Sequence, residues 1–249
     1  MSSDLIRVEN LTVGFGGKSL MKDVGFTVAA GEVFVILGGS GCGKSTLLKN
    51  MIGLYRPMAG RIFIAGEDIV QATGDGKRAI QRKFGVAYQA GALFGSMNLI
   101  DNIGLPLEEY TGLDAAAREL TARMKLSLVG LAGFEQRMPA ELSGGMQKRA
   151  AIARAMALDP AILFLDEPSA GLDPITSAGL DELILRLARN LGITFVVVSH
   201  ELQSIFTIAD RVIMLDKRQQ GIVAAGTPAD LRDNSPNPWV RQFFNREAP

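Results

Sequence analysis

The sequence predicts an α/β protein with a buried parallel sheet, antiparallel strands before it and a helical segment inserted within it. Three observations favour this fold class. Short apolar runs, each followed by helix-like sequence, recur from Val33 onward, as in βαβ units. Alternating apolar and polar residues precede them, as in a sheet with one solvated face. Between about Gly91 and Asp159 strand-like runs are absent, and the sequence becomes helical, most clearly over Ala115–Leu131 and Met146–Ala157.

The segment before Val33 has the pattern of antiparallel strands. Its alternating apolar residues are Ile6, Val8, Leu11, Val13, Val24, Phe26 and Val28. Gly16-Gly17 and Ala30-Gly31 have the composition of turns. Arg61–Ala65, which ends at Gly66, is expected to join the same sheet.

A glycine-rich loop lies between the first buried strand, Val33–Leu37, and a helix that starts near Lys44. The loop residues are Gly38, Gly39, Ser40, Gly41, Cys42, Gly43, Lys44, Ser45 and Thr46. Glycines let backbone N–H groups point at phosphate oxygens, the helix N-terminus adds partial positive charge, and Lys44 can neutralise the β and γ oxygens. Ser45 is then placed to hold Mg²⁺. The position between strand and helix favours a nucleoside triphosphate site over a glycine turn with a surface lysine.

The composition limits the kinds of partner and the location that we expect for this chain. Among 249 residues, 26 basic side chains cancel 26 acidic ones, so no strong field attracts nucleic acid, and we expect no nucleic-acid partner. The apolar runs Val33–Leu37, Ala161–Leu165 and Ile193–Val198 are much shorter than the roughly 18 residues that span a bilayer. Met1–Asp4 lacks the features of a secretory signal. We expect a cytoplasmic location, which the single cysteine, Cys42, also fits.

A second buried strand, Ile162–Leu165, ends in two adjacent carboxylates. Because ligands of open α/β sheets bind at the carboxyl ends of strands, both side chains are candidates for the site. Asp166 can hold the Mg²⁺ that Ser45 also approaches, and Glu167 can orient and deprotonate water. Alone, the pair could be an acidic helix cap before Pro168. The glycine-rich loop favours the catalytic interpretation.

The remaining predicted elements are helices with recognisable starts. Leu142–Gln147 contains a second glycine turn that opens a helix, so it offers unpaired N–H groups to an anion. Asp173-Pro174 starts a further helix as N-cap and first residue. Strands are expected near Arg211–Leu215 and Ile222–Ala225, followed by a short helix from Thr227-Pro228.

Taken together, these motifs resemble the ATPase subunits of ABC-type transporters. The motifs are the glycine-rich loop, Leu142–Gln147, the Asp166-Glu167 strand, Ser169–Asp173 and Ser199-His200, in the family's order. The resemblance covers nearly the whole chain. It implies a RecA-like P-loop NTPase core with an N-terminal antiparallel β subdomain and a helical insertion. The implied organisation is an ATP-binding domain over 4–236, with a helical subdomain at about 91–159, and a tail over 237–249. ATP and Mg²⁺ are the implied cofactors.

The resemblance also implies a role for individual residues. In a head-to-tail homodimer, the Ser143-Gly144-Gly145 turn of one copy, with Gln147, would close over the γ-phosphate held by Lys44 of the other. The catalytic residues implied are Lys44, Gln89, Glu167 and His200, and Gln89 would also contact Mg²⁺ with Ser45 and Asp166. His200 is the only histidine in the chain. Phe15 matches the aromatic residue that stacks on adenine, although packing within the first sheet is an alternative for it.

Other segments concern partners. Family precedent makes Ala90–Leu107 the docking site for separate permease subunits. Its apolar residues could equally form the core of the insertion, and they are Leu93, Phe94, Met97, Leu99 and Ile103. In the tail, apolar residues at helical spacing must pack either on their own domain or on the opposite protomer, and they are Trp239, Val240, Phe243 and Phe244.

The segments 92–98, 102–107, 173–177 and 238–244 resemble one branch of the family, the ATPases of Mla-type (MCE-associated) phospholipid transporters. That resemblance implies a motor for phospholipid transport between inner and outer membranes, bound peripherally to the cytoplasmic side of the inner membrane. Permease subunits, an MCE-domain protein and an accessory subunit are the implied partners. The ATPase of a small-solute, amino-acid type importer and a soluble non-transport ABC ATPase are the alternatives.

Overall fold

The computed structural model describes residues 4–89 and 91–247. Residue 90, the first of the predicted docking segment, and residues 248–249, the last of the predicted tail, lie outside the described part, as do residues 1–3. Within the described ranges, no helix combines the length and the apolar character that crossing a membrane requires.

Ten strands and nine α-helices make up the described chain. The strands are β1 Asp4–Phe15, β2 Lys18–Ala29, β3 Val33–Gly38, β4 Ala59–Ile64, β5 Glu67–Asp68, β6 Phe84–Ala87, β7 Ile162–Asp166, β8 Thr194–Val198, β9 Arg211–Asp216 and β10 Gly221–Gly226. The helices are α1 Lys44–Met51, α2 Gly74–Gln81, α3 Leu99–Tyr110, α4 Ala115–Leu128, α5 Gly144–Ala155, α6 Pro174–Leu191, α7 Leu202–Ile208, α8 Pro228–Asp233 and α9 Pro238–Asn245. A single 3₁₀ turn, Pro139–Glu141, precedes α5.

The central sheet has six strands in the order β10-β9-β3-β8-β7-β6. Its five strands from β9 to β6 are parallel, and β10 pairs antiparallel with β9 at the edge. All residues of β3, β7 and β8 are buried, because side chains on both faces pack into hydrophobic cores. Along β3, Phe34 and Ile36 belong to one core, whereas Val35 and Leu37 belong to the other.

The four-stranded antiparallel sheet, β2-β1-β4-β5, covers one face of the central sheet. Its first hairpin turns at Gly16-Gly17, where φ angles of 55° and 79° suit glycine. Val8 of β1 lies opposite Phe26 of β2 and Ile62 of β4. Helix α1 packs in the same layer, so this sheet supports the loop that precedes the helix.

Helices α3 to α9 contribute to the core on the other face of the central sheet. Within this layer, α5 approaches β6 very closely, since a Cβ at Gly85 would overlap the carbonyl oxygen of Ala155. The glycine in β6 therefore lets the helix backbone lie directly on the strand.

The predicted fold class is confirmed, and several boundaries differ from the prediction. Helix α2 and the two-residue β5 were not predicted, because α2 contains two glycines and buries only Ile80. The predicted helix 115–131 ends at Leu128, since Gly130 adopts φ 75°. The helix predicted to start at Met146 begins at Gly144. The division of the chain at residue 236 stays a prediction.

Two alternatives from the sequence are resolved by burial. Leu99 and Ile103 of the predicted docking segment are fully buried and belong to the core of the insertion, whereas Phe94 is 47% exposed. In the tail, Val240 and Phe244 of α9 are buried in the core of their own domain. Helix α9 thus packs on its own domain, which is the first of the two alternatives given for the tail.

Candidate nucleotide site

An open cleft of about 590 Å³ lies at the carboxyl ends of the parallel strands. Its lining residues are Leu20, Gly38, Gly39, Ser40, Gly41, Gly43, Lys44, Ser45, Thr46, Gln89, Glu167, His200 and Phe243. The cleft brings together the glycine-rich loop, the end of β7 and the segment after β8. The four residues predicted to be catalytic all line it.

The glycine-rich loop is shaped by its own backbone. Gly41 and Gly43 adopt φ angles of 73° and 99°, which favour glycine. A Cβ at Gly38 would lie 2.6 Å from both the Cys42 sulfur and the Leu215 carbonyl oxygen. Cys42 is buried behind the loop, and burial raises the pKa of its thiol. The cysteine therefore fills space under the loop and is absent from the cleft surface.

Lys44 lies in the middle of the loop. Its ammonium donates to the carbonyl oxygens of Gly38 at 2.8 Å and Gly39 at 3.3 Å. It also lies 4.0 Å from a carboxylate oxygen of Glu167. These contacts fix a positive charge between the loop and the end of β7, where an anionic ligand can meet it.

The predicted metal residues Ser45 and Asp166 are in contact. The Ser45 hydroxyl donates to the Asp166 carboxylate at 3.2 Å. Burial raises the pKa of Asp166; Ser45 and the nearby Lys49 and Lys44 oppose that shift, while the Glu167 charge adds to it. A buried carboxylate beside a hydroxyl is a ready oxygen ligand pair. The third predicted ligand, Gln89, is exposed at the edge of the cleft.

Glu167 and His200 form a pair across the ends of β7 and β8. Both carboxylate oxygens of Glu167 lie 2.8 and 2.9 Å from Nδ1 of His200. Glu167 is 7% exposed, and its backbone has a φ of 49°, which is uncommon for a residue with a side chain. Its N–H donates to the Val198 carbonyl at 2.8 Å. The sheet therefore holds the carboxylate in one position against the imidazole.

Phe15 lies outside this cleft. It is 53% exposed and makes an edge-to-face contact with Tyr55, with 5.4 Å between ring centroids. The ring is thus displayed at the end of β1 and is not packed inside the first sheet. Its role in stacking on adenine stays a prediction.

The Ser143 turn also lies outside the cleft of its own chain. The Ser143 hydroxyl caps α5 by accepting from the Met146 N–H at 3.3 Å, and Ser143 and Gly144 are exposed. Gly145 is buried, and the Thr176 side chain packs so closely that a Cβ at this position would overlap it. The turn is therefore open to solvent and is not part of the lining of its own cleft.

The Gln147 side chain bonds to its own chain in this structure, and its role in binding nucleotide stays a prediction. Its amide nitrogen donates to the carbonyl oxygens of Pro139 at 3.0 Å and Leu142 at 3.2 Å. The side chain therefore braces the segment before α5, and its N–H donors are already used. A helical position one turn inside the start of α5 turns this residue toward its own chain.

The sequence analysis missed three residues that the structure places at or beside the cleft. Leu20 and Phe243 line it and make part of its wall apolar. The ammonium of Lys148 contacts the Gln89 carbonyl oxygen and lies 3.4 Å from that of Glu167. A lysine one turn into a helix that starts with a glycine turn is the only sequence signal for Lys148. No signal separates Leu20 or Phe243 from ordinary core residues.

Comparison with known proteins agrees with this geometry. Residues 21–170, more than half of the chain, match the protein family described as ABC transporter. The chain belongs to the ABC transporter family. The predicted resemblance to the ATP-binding subunits of this family is thereby confirmed.

Two curated relatives of this chain carry different functional names. The intermembrane phospholipid transport system ATP-binding protein MlaF of Escherichia coli K12 is 41% identical over 98% of this chain and 89% of its own length. The probable ribonucleotide transport ATP-binding protein mkl of Mycobacterium tuberculosis H37Rv is 44% identical over 96% of this chain. This chain spans 66% of the length of that mycobacterial relative, slightly under two thirds.

A solved structure shares the ABC fold. The ATP-binding cassette MJ0796, in a dimeric post-hydrolysis state bound to ADP and Pi, aligns with a TM-score of 0.80 and 29% sequence identity. The alignment covers 89% of this chain and 98% of the cassette.

Proposed function

We propose that this chain is the ATP-hydrolysing subunit of an ABC transporter complex that moves phospholipids between the inner and outer membranes. The observation that carries the proposal is the cleft, where Lys44, Glu167 and His200 converge beneath the glycine-rich loop. The lipid assignment is supported by the 41% identity to E. coli MlaF along nearly the whole chain.

The residues of the cleft fit ATP with Mg²⁺. The Ser45 hydroxyl and the Asp166 carboxylate supply hard oxygen ligands 3.2 Å apart, and Mg²⁺ in nucleotide sites takes one or two protein ligands besides phosphate and water. Gln89, at the rim of the cleft, offers its side-chain amide oxygen as a further metal ligand. The metal, when bound, neutralises charge on the β and γ phosphate oxygens.

The chain's own residues would perform three tasks. Loop N–H groups and Lys44 would hold the phosphates, which keeps the γ-phosphorus in line with an attacking water. Glu167 would accept the proton of that water. His200 would hold the Glu167 carboxylate in place, since its Nδ1 contacts both oxygens. Hydrolysis here is mainly positioning and charge neutralisation.

The same proposal includes a homodimer. The Ser143 turn is exposed and does not line its own cleft, so a second copy arranged head to tail could bring it over the triphosphate bound near Lys44. The dimeric state of the related cassette MJ0796 supports this arrangement. Permease subunits, an MCE-domain protein and an accessory subunit complete the complex that we propose, at the cytoplasmic face of the inner membrane, with no nucleic-acid partner.

A second candidate is the ATPase of an importer for a small solute. This candidate is supported by the name of the mycobacterial relative, a probable ribonucleotide transport ATP-binding protein. The nucleotide cleft does not distinguish the two candidates, because it acts only on ATP. A soluble ABC ATPase without a transport role is the third.

Purification of the tagged chain from its native membranes tests the proposal. We expect permease and MCE-domain proteins to co-purify, and the complex in vesicles to transfer labelled phospholipid only with ATP. The Lys44→Ala complex should release no phosphate, whereas Lys83→Ala, at a half-buried lysine paired with Glu67 outside the cleft, should remain active. Transport of a small solute without lipid transfer would favour the importer, and a chain without membrane partners would favour the soluble class.

A further inference from the structure

Helix α5 carries residues for both nucleotide sites of the proposed dimer. Its N-terminal end is the exposed Ser143 turn, which in the proposed dimer belongs to the nucleotide of the second copy. One turn further along, Lys148 reaches back to the cleft of its own chain. A single hydrogen-bonded helix therefore carries a contact for each site.

Lys148 contacts the backbone at Gln89 and Glu167, two of the residues predicted to be catalytic. Its ammonium donates to the backbone carbonyl of Gln89, and it lies 3.4 Å from the backbone carbonyl of Glu167. Burial lowers the pKa of the Lys148 ammonium, and the charges of Asp166 and Glu167 oppose that shift. The charge of Lys148 therefore bridges the end of β6 and the end of β7.

A second side chain of the same helix holds the other end of the Gln89 segment. The Arg154 guanidinium donates to the Ala92 carbonyl oxygen at 2.6 Å and lies over the Phe94 ring. Gln89 and Ala92 are thus each tied to α5 through a backbone carbonyl. Arg154 makes no contact with Glu167, which makes it a useful comparison for Lys148.

The helix is packed so tightly that its ends are expected to move together. At its C-terminal end, the Ala155 carbonyl lies where a Cβ of Gly85 would be, and at its N-terminal end Gly145 lies directly against Thr176. Close packing of this kind transmits displacement, because neither contact has space to absorb it.

We propose that Lys148 is a positioning residue that couples the two nucleotide sites of the dimer. Engagement of the Ser143 turn by the nucleotide of the second copy sets the position of α5, and Lys148 passes this position to Gln89 and Glu167 of its own copy. The inference rests on the proposed ATPase dimer. It predicts cooperative hydrolysis that depends on a side chain that touches neither nucleotide.

The test is the ATP dependence of phosphate release by Lys148→Met, which keeps the side-chain length and removes the donors. We expect the Hill coefficient to fall from above 1 to about 1 and kcat to fall on the order of 10- to 100-fold, as misplaced catalytic groups do. Equilibrium binding of ATP to the isolated subunit should change less than about threefold, because Lys44 and the loop are untouched. Lys148→Arg, which keeps the charge, should recover part of the cooperativity.

Two comparison variants separate coupling from general damage. Lys83→Met removes a half-buried lysine outside the cleft by the same substitution and should keep both kcat and the Hill coefficient. Arg154→Met releases the Ala92 carbonyl without changing the contacts of Lys148 and should keep a Hill coefficient above 1. If Lys148→Met does not fold, as judged by thermal melting, Lys148→Gln carries the same expectation.

The outcomes are distinguishable. An inactive wild-type protein would overturn the proposed function itself. An active wild type without cooperativity, or a Lys148→Met variant with wild-type kcat and Hill coefficient, would overturn the inference alone. Equal loss of cooperativity in the Lys148 and Arg154 variants would assign the coupling to the packing of α5 in general and overturn the role of Lys148.

Discussion

Glu167 occupies a constrained position for a residue that must meet a water molecule. Its φ of 49° lies in the left-handed region, its N–H is bonded to Val198, and its carboxylate faces His200. Strained residues of this kind persist where the surrounding structure fixes them, and they occur frequently at active sites. The strain turns the side chain from the end of a buried strand into the cleft.

Glu167→Gln should therefore abolish turnover and leave ATP binding intact. The amide keeps the shape of the carboxylate but accepts no proton from water, so kcat should fall by about 10²- to 10⁴-fold. Steady-state phosphate release and equilibrium ATP binding measure the two effects. Glu182→Gln, an exposed residue of α6, is the control. Turnover near the wild-type level would contradict the assignment of Glu167.

Asp166→Asn should stabilise the nucleotide-free protein at neutral pH and weaken its response to Mg²⁺. Burial raises the pKa of Asp166 in the folded state, so ionisation of this carboxyl costs more folded than unfolded. That cost is present above the folded pKa and vanishes below the ordinary value of about 3.9, where both states are protonated.

Denaturant unfolding at two pH values checks this expectation. The free energy of unfolding of Asp166→Asn should exceed that of the wild type at pH 7, and the difference should shrink as the pH falls towards 4. Mg²⁺-dependent ATP binding should be lost in parallel, since the amide is a weaker ligand. Equal stability at pH 7 would contradict the burial argument.

At the scale of elements, the contact between α5 and β6 depends on one glycine. Gly85→Ala should destabilise the protein by about 3 kcal/mol, because the new Cβ would overlap the Ala155 carbonyl oxygen and force the helix away. Gly104→Ala, inside α3, has nothing within 4 Å of its new Cβ and should stabilise by roughly 0.5–1 kcal/mol. Thermal or urea unfolding of both variants measures the contrast. A mild effect at Gly85 would mean that α5 can shift.

Elements with strong patterns were predicted well, and those whose position depends on packing were not. The buried runs that became β3, β7 and β8 were predicted within a residue or two. Helix α2 was missed, because its single buried residue leaves almost no apolar period. Leu99 and Ile103 could not be assigned to the core or to a docking surface from sequence, since apolar spacing is the same in both cases.

At the scale of the whole molecule, the exposed Ser143 turn and the open cleft suggest a complete site only between two copies. Formal net charge is zero, so long-range repulsion between copies is weak. Serine at position 143 is exposed and caps α5, which makes it a suitable place to block assembly without disturbing the core.

Ser143→Arg in the Glu167→Gln background should remain monomeric with ATP. The Glu167→Gln protein alone should dimerise when ATP and Mg²⁺ are added, because the bound nucleotide is not consumed. Analytical ultracentrifugation gives the mass of each, and ATP binding to both monomers should be similar. Ser127→Arg, at an exposed position of α4, is the control. A Ser143→Arg protein that still dimerises with ATP would contradict the head-to-tail arrangement.

The sequence by itself determined the order of the elements and the identity of the residues at the phosphate loop. These features are local: glycine spacing, buried strand length and the residues at strand ends follow from short-range sterics and burial. The residues Lys44, Ser45, Asp166, Glu167 and His200 could be named because each directly follows a recognisable strand or turn.

Only the tertiary structure decided how distant segments use their side chains. It turned Gln147 toward its own loop, placed Phe243 at the cleft and brought Lys148 between Gln89 and Glu167. Each of these contacts joins residues far apart in the chain or depends on the direction in which a helical side chain points. Local spacing carries no information on such contacts, because they arise when the sheet and the helices pack together.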